Sequence, residues 1–170
     1  MRPSSLGDLE QRVALDLLWL NQPAKDWVPP RVVDGQDVID VAVIGAGLCG
    51  LAALAALKRV GIYNTCAFDR APAGREGPWI TYARMETLRT RKEAAGPALG
   101  VPPLTFRAWF EAQFGAEAYE KMVLIPRPMW MDYLIWYRRI LELNVVNDTA
   151  LTSLGLRPDG LITLDLQDNA

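Results

Sequence analysis

Residues 38–53 read VIDVAVIGAGLCGLAA, and this stretch decides how the rest of the chain is interpreted. A β-branched run leads directly into Gly-x-Gly-x-x-Gly, formed by Gly45, Gly47 and Gly50, and an Ala/Leu-rich run follows. The order of strand, tight turn and helix is typical of a turn that binds the diphosphate of a dinucleotide. Gly45 permits the turn, Gly47 lets a phosphate approach the backbone, and Gly50 allows the helix to pack closely on the strand. The N–H groups at the helix start would then face the diphosphate.

A carboxylate stands where such a site needs one. Asp69 lies 19 residues beyond Gly50 (69 − 50) and follows the apolar run TCAF at residues 65–68. At the end of a second strand, a carboxylate can accept hydrogen bonds from the ribose hydroxyls of an adenosine. A glycine pattern alone also occurs in ordinary structural turns, but here the flanking strand, helix and acid predict a dinucleotide site. The β–α–β order also predicts a parallel, right-handed α/β start.

Composition narrows the function classes. The chain has 170 residues, of which 51% are hydrophobic and 22% charged, so we expect one packed domain. A formal net charge of −2 does not favour a nucleic-acid binder. The chain has no histidine, which argues against a zinc site and against a Ser-His-Asp triad, and no metal is predicted. The cysteines, Cys49 and Cys66, are predicted to be buried small apolar residues rather than a disulfide.

Targeting signals are not evident in the sequence. No run reaches the roughly 18 apolar residues of a membrane span. The N-terminus lacks the layout of a signal peptide, so the default expectation is a cytoplasmic protein without membrane contact.

The N-terminal segment is predicted to be an amphipathic helix over residues 5–20, with Ser5 and Asp8 starting it as a capping box. We expect its apolar stripe to pack on the chain's own body. A proline-containing linker follows, and the chain therefore divides into residues 1–35, helix and linker, and residues 36–170, the nucleotide-binding domain.

The domain itself shows a regular start and a long irregular excursion. Strands are predicted at 38–44, buried on both faces, at 64–69 and near 144–147; helices at 48–60, 105–114 and 128–142; and a hairpin from 149–156 and 161–167 around the turn RPDG. Arg138 is expected to pair with Glu142 one turn further along its helix. The Gly/Pro-rich and arginine-bearing segment after Asp69, over residues 71–92, is predicted to be a functional loop.

These features together resemble a known family. The glycine turn, Asp69 and the sequence Gly-Pro-Trp at 77–79 resemble the N-terminal FAD-binding part of class B flavoprotein monooxygenases, which include flavin-containing, Baeyer–Villiger and N-hydroxylating enzymes. The resemblance covers about residues 36–167. It implies a Rossmann-like FAD/NAD(P)-binding α/β fold, with a parallel sheet, helices and a C-terminal β-meander. Two departures are GREGPW at 74–79, where the family commonly has Gly-Gly-x-Trp, and Asp69, where it often has Glu.

The resemblance also implies a chemistry. In the intact family NADPH reduces FAD, and a C4a-peroxyflavin oxygenates a carbonyl, amine or sulfide of a small organic substrate. The chain resembles roughly the first third of such an enzyme, a truncated form in which the NADPH-binding domain is absent. We therefore expect little NADPH oxidation from the chain alone. An exposed apolar face or edge is expected too, with self-association or a missing C-terminal half to cover it.

Residue roles follow from the same resemblance. The turn residues Gly45, Ala46, Gly47, Leu48 and Gly50 would surround the pyrophosphate. Asp69 would bind the ribose, with Arg70 beside the adenine. Trp79 would lie near the ribityl chain or the isoalloxazine, or else anchor its loop. Among the basic residues of the loop, Arg89 is the best candidate to reach phosphate or flavin oxygens. No catalytic residue is predicted.

Two other function classes stay open. A nicotinamide-dependent dehydrogenase shares the β–α–β turn, although it would normally continue with another compact β–α unit. A non-catalytic, truncated FAD-binding or interaction module is the other alternative.

Overall fold

A strand, a tight turn and a helix follow one another at the glycine-rich stretch, as predicted. A computed structural model describes residues 3–94 and 96–169. Its helices are α1 (Leu6–Trp19), α2 (Leu48–Arg59), α3 (Phe106–Phe114), α4 (Ala116–Lys121) and α5 (Arg127–Ile140). Its strands are β1 (Arg31–Val33), β2 (Gln36–Val38), β3 (Val41–Ile44), β4 (Thr65–Phe68), β5 (Val145–Val146), β6 (Thr149–Leu156) and β7 (Ile162–Asp168).

A three-stranded parallel sheet forms the centre, in the order β3-β4-β5. Val41 pairs with Thr65 and Ile44 with Phe68, and α2 makes the crossover between these two strands. The third strand, β5, pairs with the end of β4. The predicted β–α–β start is therefore confirmed.

The first strand differs from its prediction in two ways. It begins at Val41 rather than at residue 38, because residues 36–38 form β2, which pairs with β1 in a short antiparallel hairpin. Asp34 and Gly35 make the turn of this hairpin with φ of 53° and 76°, as an Asp-Gly turn can. Nor is β3 buried on both faces: in the described residues it is an edge strand, and Ile44 is 51% exposed.

The N-terminal helix packs on the chain's own body, as predicted. The Ser5 hydroxyl accepts a hydrogen bond from the Asp8 N–H at 3.1 Å, which satisfies one of the free donors at the helix start. Leu9 and Val13 are buried, and α1 lies against α3. Glu10 accepts a hydrogen bond from the indole N–H of Trp136 at 3.1 Å, so a polar contact fixes α1 to α5 as well.

An aromatic core joins α3 and α5. The ring centroids of Phe106 lie 5.6 Å from those of both Trp130 and Tyr133. The hydroxyl of Tyr133 donates to the Leu104 carbonyl at 2.7 Å, and that of Tyr137 donates to the Pro97 carbonyl at 2.5 Å. Burial raises the pKa of both phenols. The predicted aromatic face of α3 is thus core, although its last member, Phe114, is exposed.

The C-terminal hairpin has one aliphatic face. Leu154 pairs with Leu164 and Leu156 with Ile162 across β6 and β7, around the predicted turn at 157–160. Leu154, Leu156 and Ile162 are all exposed. The expected exposed apolar face is therefore present, and the described residues form a two-stranded hairpin where the family resemblance implies a meander.

Candidate functional site

At two positions of the glycine turn after β3, the backbone geometry of the protein itself allows only glycine. Gly45 has φ of 94°, a conformation that side-chain-bearing residues rarely adopt, and its N–H donates to the Phe68 carbonyl at 2.8 Å. A Cβ built on Gly50 lies only 1.9 Å from the carbonyl oxygen of Gly45, so no side chain fits there. These two positions bring α2 close to β3, as the sequence predicts.

Gly47 is different, because its surroundings can accept a methyl group. Its φ of −67° and ψ of −171° are ordinary extended values, and a Cβ would lie 3.7 Å from the Cα of Gly77. Gly47 is the N-cap of α2, with no side-chain cap and no acidic residue in the first helical turn. The first N–H groups of α2 therefore have no capping side chain, and an anion can accept hydrogen bonds from them.

Asp69 lies in the site but bonds the backbone. One carboxylate oxygen, Oδ2, accepts the N–H of Ala46 at 2.7 Å, and the other, Oδ1, accepts the N–H of Ala71 at 2.8 Å. The residue is 8% exposed, and its own N–H donates to the Val146 carbonyl. Asp69 thus links the glycine turn to the following loop and to β5. Each carboxylate oxygen therefore already accepts one backbone N–H. Each keeps a further lone pair, which could accept a hydrogen bond from a ribose hydroxyl.

A cavity of about 510 Å³ opens at the carboxyl ends of β3 and β4. Among the predicted residues, Gly45, Asp69 and Arg70 line it. Arg75 and Tyr82, which the sequence reasoning did not name, line it too. The exposed guanidinium groups of Arg70 and Arg75 suit a diphosphate or another anion. The signal for Arg75 and Tyr82 in the sequence is the predicted functional loop of residues 71–92, in which the sequence analysis favours Arg89.

The loop is fixed to α5 and to the end of β5 by an ion pair whose carboxylate is buried. Glu76 is 3% exposed, and its Oε1 accepts hydrogen bonds from Arg138 at 2.9 Å and from the Asn147 amide at 2.7 Å. Arg138 also donates to the Val145 carbonyl at 3.0 Å, and Asn147 to the Ala71 carbonyl at 3.1 Å. This network, Glu76–Arg138–Asn147, connects the loop, α5 and the end of β5.

The predicted partner of Arg138 is wrong. Helix α5 ends at Ile140, and Glu142 follows it with φ of 50°, outside the helix, where its carboxylate lies 3.6 Å from the Lys58 amine. A pairing one helical turn along is therefore not available, and Arg138 reaches across to Glu76 instead.

Trp79 and Arg89 have different surroundings. The ring of Trp79 packs edge-on against Trp130, with centroids 6.2 Å apart, so it anchors the loop. Its buried indole N–H has no hydrogen-bond partner in the described residues and lies beside Gly77. Arg89 is exposed and does not line the cavity. Lys92 donates to the Tyr119 and Glu120 carbonyls, a structural role at the end of α4.

Cys49 corrects one prediction. It is exposed in the first turn of α2, next to the glycine turn, whereas Cys66 is buried in β4 as predicted.

Among the described residues no group of His, Cys, Asp or Glu is arranged to hold a metal ion. No described helix is long and apolar enough to cross a membrane.

Comparison with known proteins now decides the family. A family model described as FAD-NAD(P)-binding matches residues 42–156, well over half of the chain. The chain belongs to this family. The matched range begins in β3 and ends in β6, so this FAD-NAD(P)-binding domain contains the glycine turn, the cavity and the Glu76–Arg138–Asn147 network.

One curated relative is an FAD-dependent enzyme, and the chain matches only part of its length. The chain is 49% identical over 150 residues to the FAD-dependent urate hydroxylase of Xanthomonas campestris pv. campestris. The match covers 88% of this chain and 32% of the relative, so the chain spans about a third of that relative's length. The predicted FAD/NAD(P)-binding fold with a parallel sheet is confirmed, and the domain and the relative support a flavoprotein oxidoreductase. Assignment to class B stays a prediction.

Proposed function

We propose that this chain binds FAD at the glycine turn, as the flavin-binding part of an NAD(P)H-dependent flavoprotein oxidoreductase. The observation that carries the proposal is Gly47. A methyl group would make only ordinary van der Waals contact there, so the protein itself does not require glycine at the uncapped start of α2. A diphosphate that approaches the backbone closely gives this glycine a reason.

The residues around the turn fit the cofactor's charge. Main-chain N–H groups from Gly47 onward and the guanidinium groups of Arg70 and Arg75 would bind the diphosphate. Asp69 positions the turn through Ala46 and lies at the cavity wall, where a ribose hydroxyl could donate to its remaining lone pairs. When bound, FAD supplies the electron-transfer and oxygen chemistry, and the chain orients it and limits its contact with water.

The activity of the whole protein belongs to the proposal as well. We infer monooxygenase activity, with NADPH as electron donor and a small organic molecule as substrate, for a protein that also supplies the rest of the relative's length. The support is a relative that is an FAD-dependent urate hydroxylase. The 170-residue chain alone is expected to show little NADPH oxidation, because it spans only about a third of the relative's length.

The test compares two glycine-to-alanine variants in an FAD titration followed by the visible absorbance of the flavin. Gly47→Ala is expected to weaken FAD binding at least tenfold, about 1.4 kcal/mol, because the methyl group occupies the approach of the phosphate. The melting temperature without FAD should stay within about 2 °C of wild type, since the methyl group meets no clash. Gly155→Ala, in β6 with open space around it, is the matched control and should bind FAD normally.

Two outcomes would refute the proposal: no FAD binding by the wild-type chain, or full-strength binding by Gly47→Ala. A nicotinamide-dependent dehydrogenase remains the second candidate, because the matching family is described as binding FAD and NAD(P). Parallel titrations with NADH and NADPH separate the two. Tight nicotinamide binding without FAD binding would favour the dehydrogenase.

A further inference from the structure

The cavity at the carboxyl ends of β3 and β4 combines apolar surface with its two arginines. Tyr82 lines it and is 73% exposed, the largest exposed fraction among the aromatic residues that the structure describes. Ile44, the last residue of β3, also lines it and is 51% exposed. Phosphates bind through charge and hydrogen-bond donors, which neither side wall of this kind supplies to them. The apolar part of the wall therefore indicates a second, flatter and less polar group of the same ligand.

The position of the cavity identifies that group. Asp69, Arg70 and residues 149–151 line it, so it lies where β4 ends and β6 begins, and its volume of about 510 Å³ is in the range of small-molecule sites. Neither Gly47 nor Trp79 lines it. A cofactor with its diphosphate at the start of α2 and its ribose at Asp69 would place its adenine base here, and its flavin elsewhere. This step rests on the proposed function.

The backbone on both sides of Tyr82 is fixed. The hydroxyl of Thr81 donates to the Gly77 carbonyl at 2.7 Å, and the N–H of Ala83 donates to the Pro78 carbonyl at 3.1 Å. These bonds close a turn that presents the phenol ring at the cavity. A ring on a backbone that is already ordered gives up little conformational freedom when a ligand packs on it.

We propose that Tyr82 is a specificity-determining residue of this cavity: its ring packs on the adenine base and favours a dinucleotide flavin over a mononucleotide flavin. Every nucleic-acid base has a π face that stacks on aromatic side chains, and truncating such a side chain weakens binding by about fivefold or more. Ile44 and Leu151 supply further apolar surface for the base. The ring rather than the hydroxyl makes the contact, so phenylalanine should replace Tyr82 without loss.

The experiment compares FAD with FMN, which carries the same flavin and lacks the adenosine monophosphate half. Each is titrated into the full 170-residue chain and followed by flavin fluorescence. Tyr82→Ala is expected to weaken FAD binding at least about fivefold and to change FMN binding less than about twofold. Tyr82→Phe should bind both as wild type. Ile80→Ala is the matched control, because Ile80 is exposed in the same loop and does not line the cavity.

AMP is a second probe, which contains no flavin. Its binding is measured by amide shifts in NMR spectra, which should concentrate at residues 44–45, 69–71 and 149–151. Tyr82→Ala should weaken AMP binding at least about fivefold, as it does for FAD. Circular dichroism of each variant checks the fold, and the exposure of Tyr82 predicts an unchanged melting temperature.

Three results would overturn the role of Tyr82. They are unchanged FAD binding by Tyr82→Ala, an equal loss for FAD and FMN, and a loss of the same size in Ile80→Ala. The proposed FAD site fails separately. If the wild-type chain binds AMP with this dependence on Tyr82 but does not bind FAD, only the FAD proposal is refuted, whereas binding of neither ligand refutes both.

Discussion

Replacing Glu76 by alanine tests whether one buried ion pair holds the loop over the glycine turn. The substitution removes the acceptor of two charge-assisted hydrogen bonds, from Arg138 and from Asn147. It leaves the Arg138 guanidinium without its counter-charge in a position where that side chain is 27% exposed. The neighbouring loop backbone, from Ala71 to Gly77, then loses its main polar link to α5.

The expected cost follows from burial. Removing one partner of a fully buried ion pair costs about 3–5 kcal/mol, because the other charge stays desolvated. Here the Glu76 side chain is 4% exposed, but Arg138 is partly accessible and keeps its bond to the Val145 carbonyl. We therefore place Glu76→Ala at the lower end, about 3 kcal/mol of unfolding free energy. Glu76→Gln keeps an acceptor for one donor and should cost about half as much, near 1.5 kcal/mol.

The assay is urea denaturation of the FAD-free chain, followed by circular dichroism. A loss of about 3 kcal/mol also corresponds to a melting temperature lower by roughly 6–12 °C for a chain of this size. Glu117→Ala is the matched control, since its carboxylate pairs with Lys121 on the open surface of α4 and such pairs contribute little. If Glu76→Ala unfolds within about 1 kcal/mol of wild type, as the control should, the network does not hold the loop.

Three further predictions concern other parts of the chain. Gly50→Ala should lower the melting temperature by more than 10 °C or prevent soluble expression, because its methyl group would overlap the turn; a melt within about 3 °C of wild type would contradict the geometry of the turn. A thiol reagent should modify Cys49 in the native chain and Cys66 only after unfolding, since burial shields the second thiol and raises its pKa; two rapidly reacting thiols in the native chain would be inconsistent with this burial. Because burial raises the pKa of Tyr133 and Tyr137, their stabilising effect is complete below the unfolded pKa of about 10 and is lost as pH rises above it. Ultraviolet titration should show these two phenols ionising only when the chain unfolds, and their free titration in the native chain would disprove the predicted burial.

The spacing of residues that are close together in the sequence was enough to predict the centre of the fold. The strand, glycine turn and helix of residues 41–59 occur where the spacing of Gly45, Gly47 and Gly50 indicates, because each step depends on neighbours within a few residues. The hairpin of β1 and β2 also has a local signal, the Asp-Gly pair at 34–35, which the proline-rich surroundings obscured.

Contacts between distant segments could not be read in the same way. The sequence indicates that Asp69 ends a strand, but not that its carboxylate meets the N–H of Ala46, 23 residues earlier. Likewise, Arg138 has an acid four residues on, yet it pairs with Glu76, 62 residues away, since the helix ends before Glu142. Side-chain direction at such positions depends on how loops pack over the sheet, and short-range patterns carry no information on that packing.

The three glycines of the turn therefore have different explanations, and the difference supports the proposed cofactor. Gly45 needs its positive φ, and Gly50 has no space for a Cβ, so both are accounted for by the protein alone. Gly47 satisfies neither condition: its backbone is ordinary and its surroundings accept a methyl group. A residue that only completed a turn could carry a side chain at this position. An anionic ligand that approaches the backbone at the uncapped start of α2 gives the missing side chain a physical reason. Gly77, whose Cα lies 3.7 Å from a Cβ built on Gly47, lines the cavity together with Arg70 and Arg75.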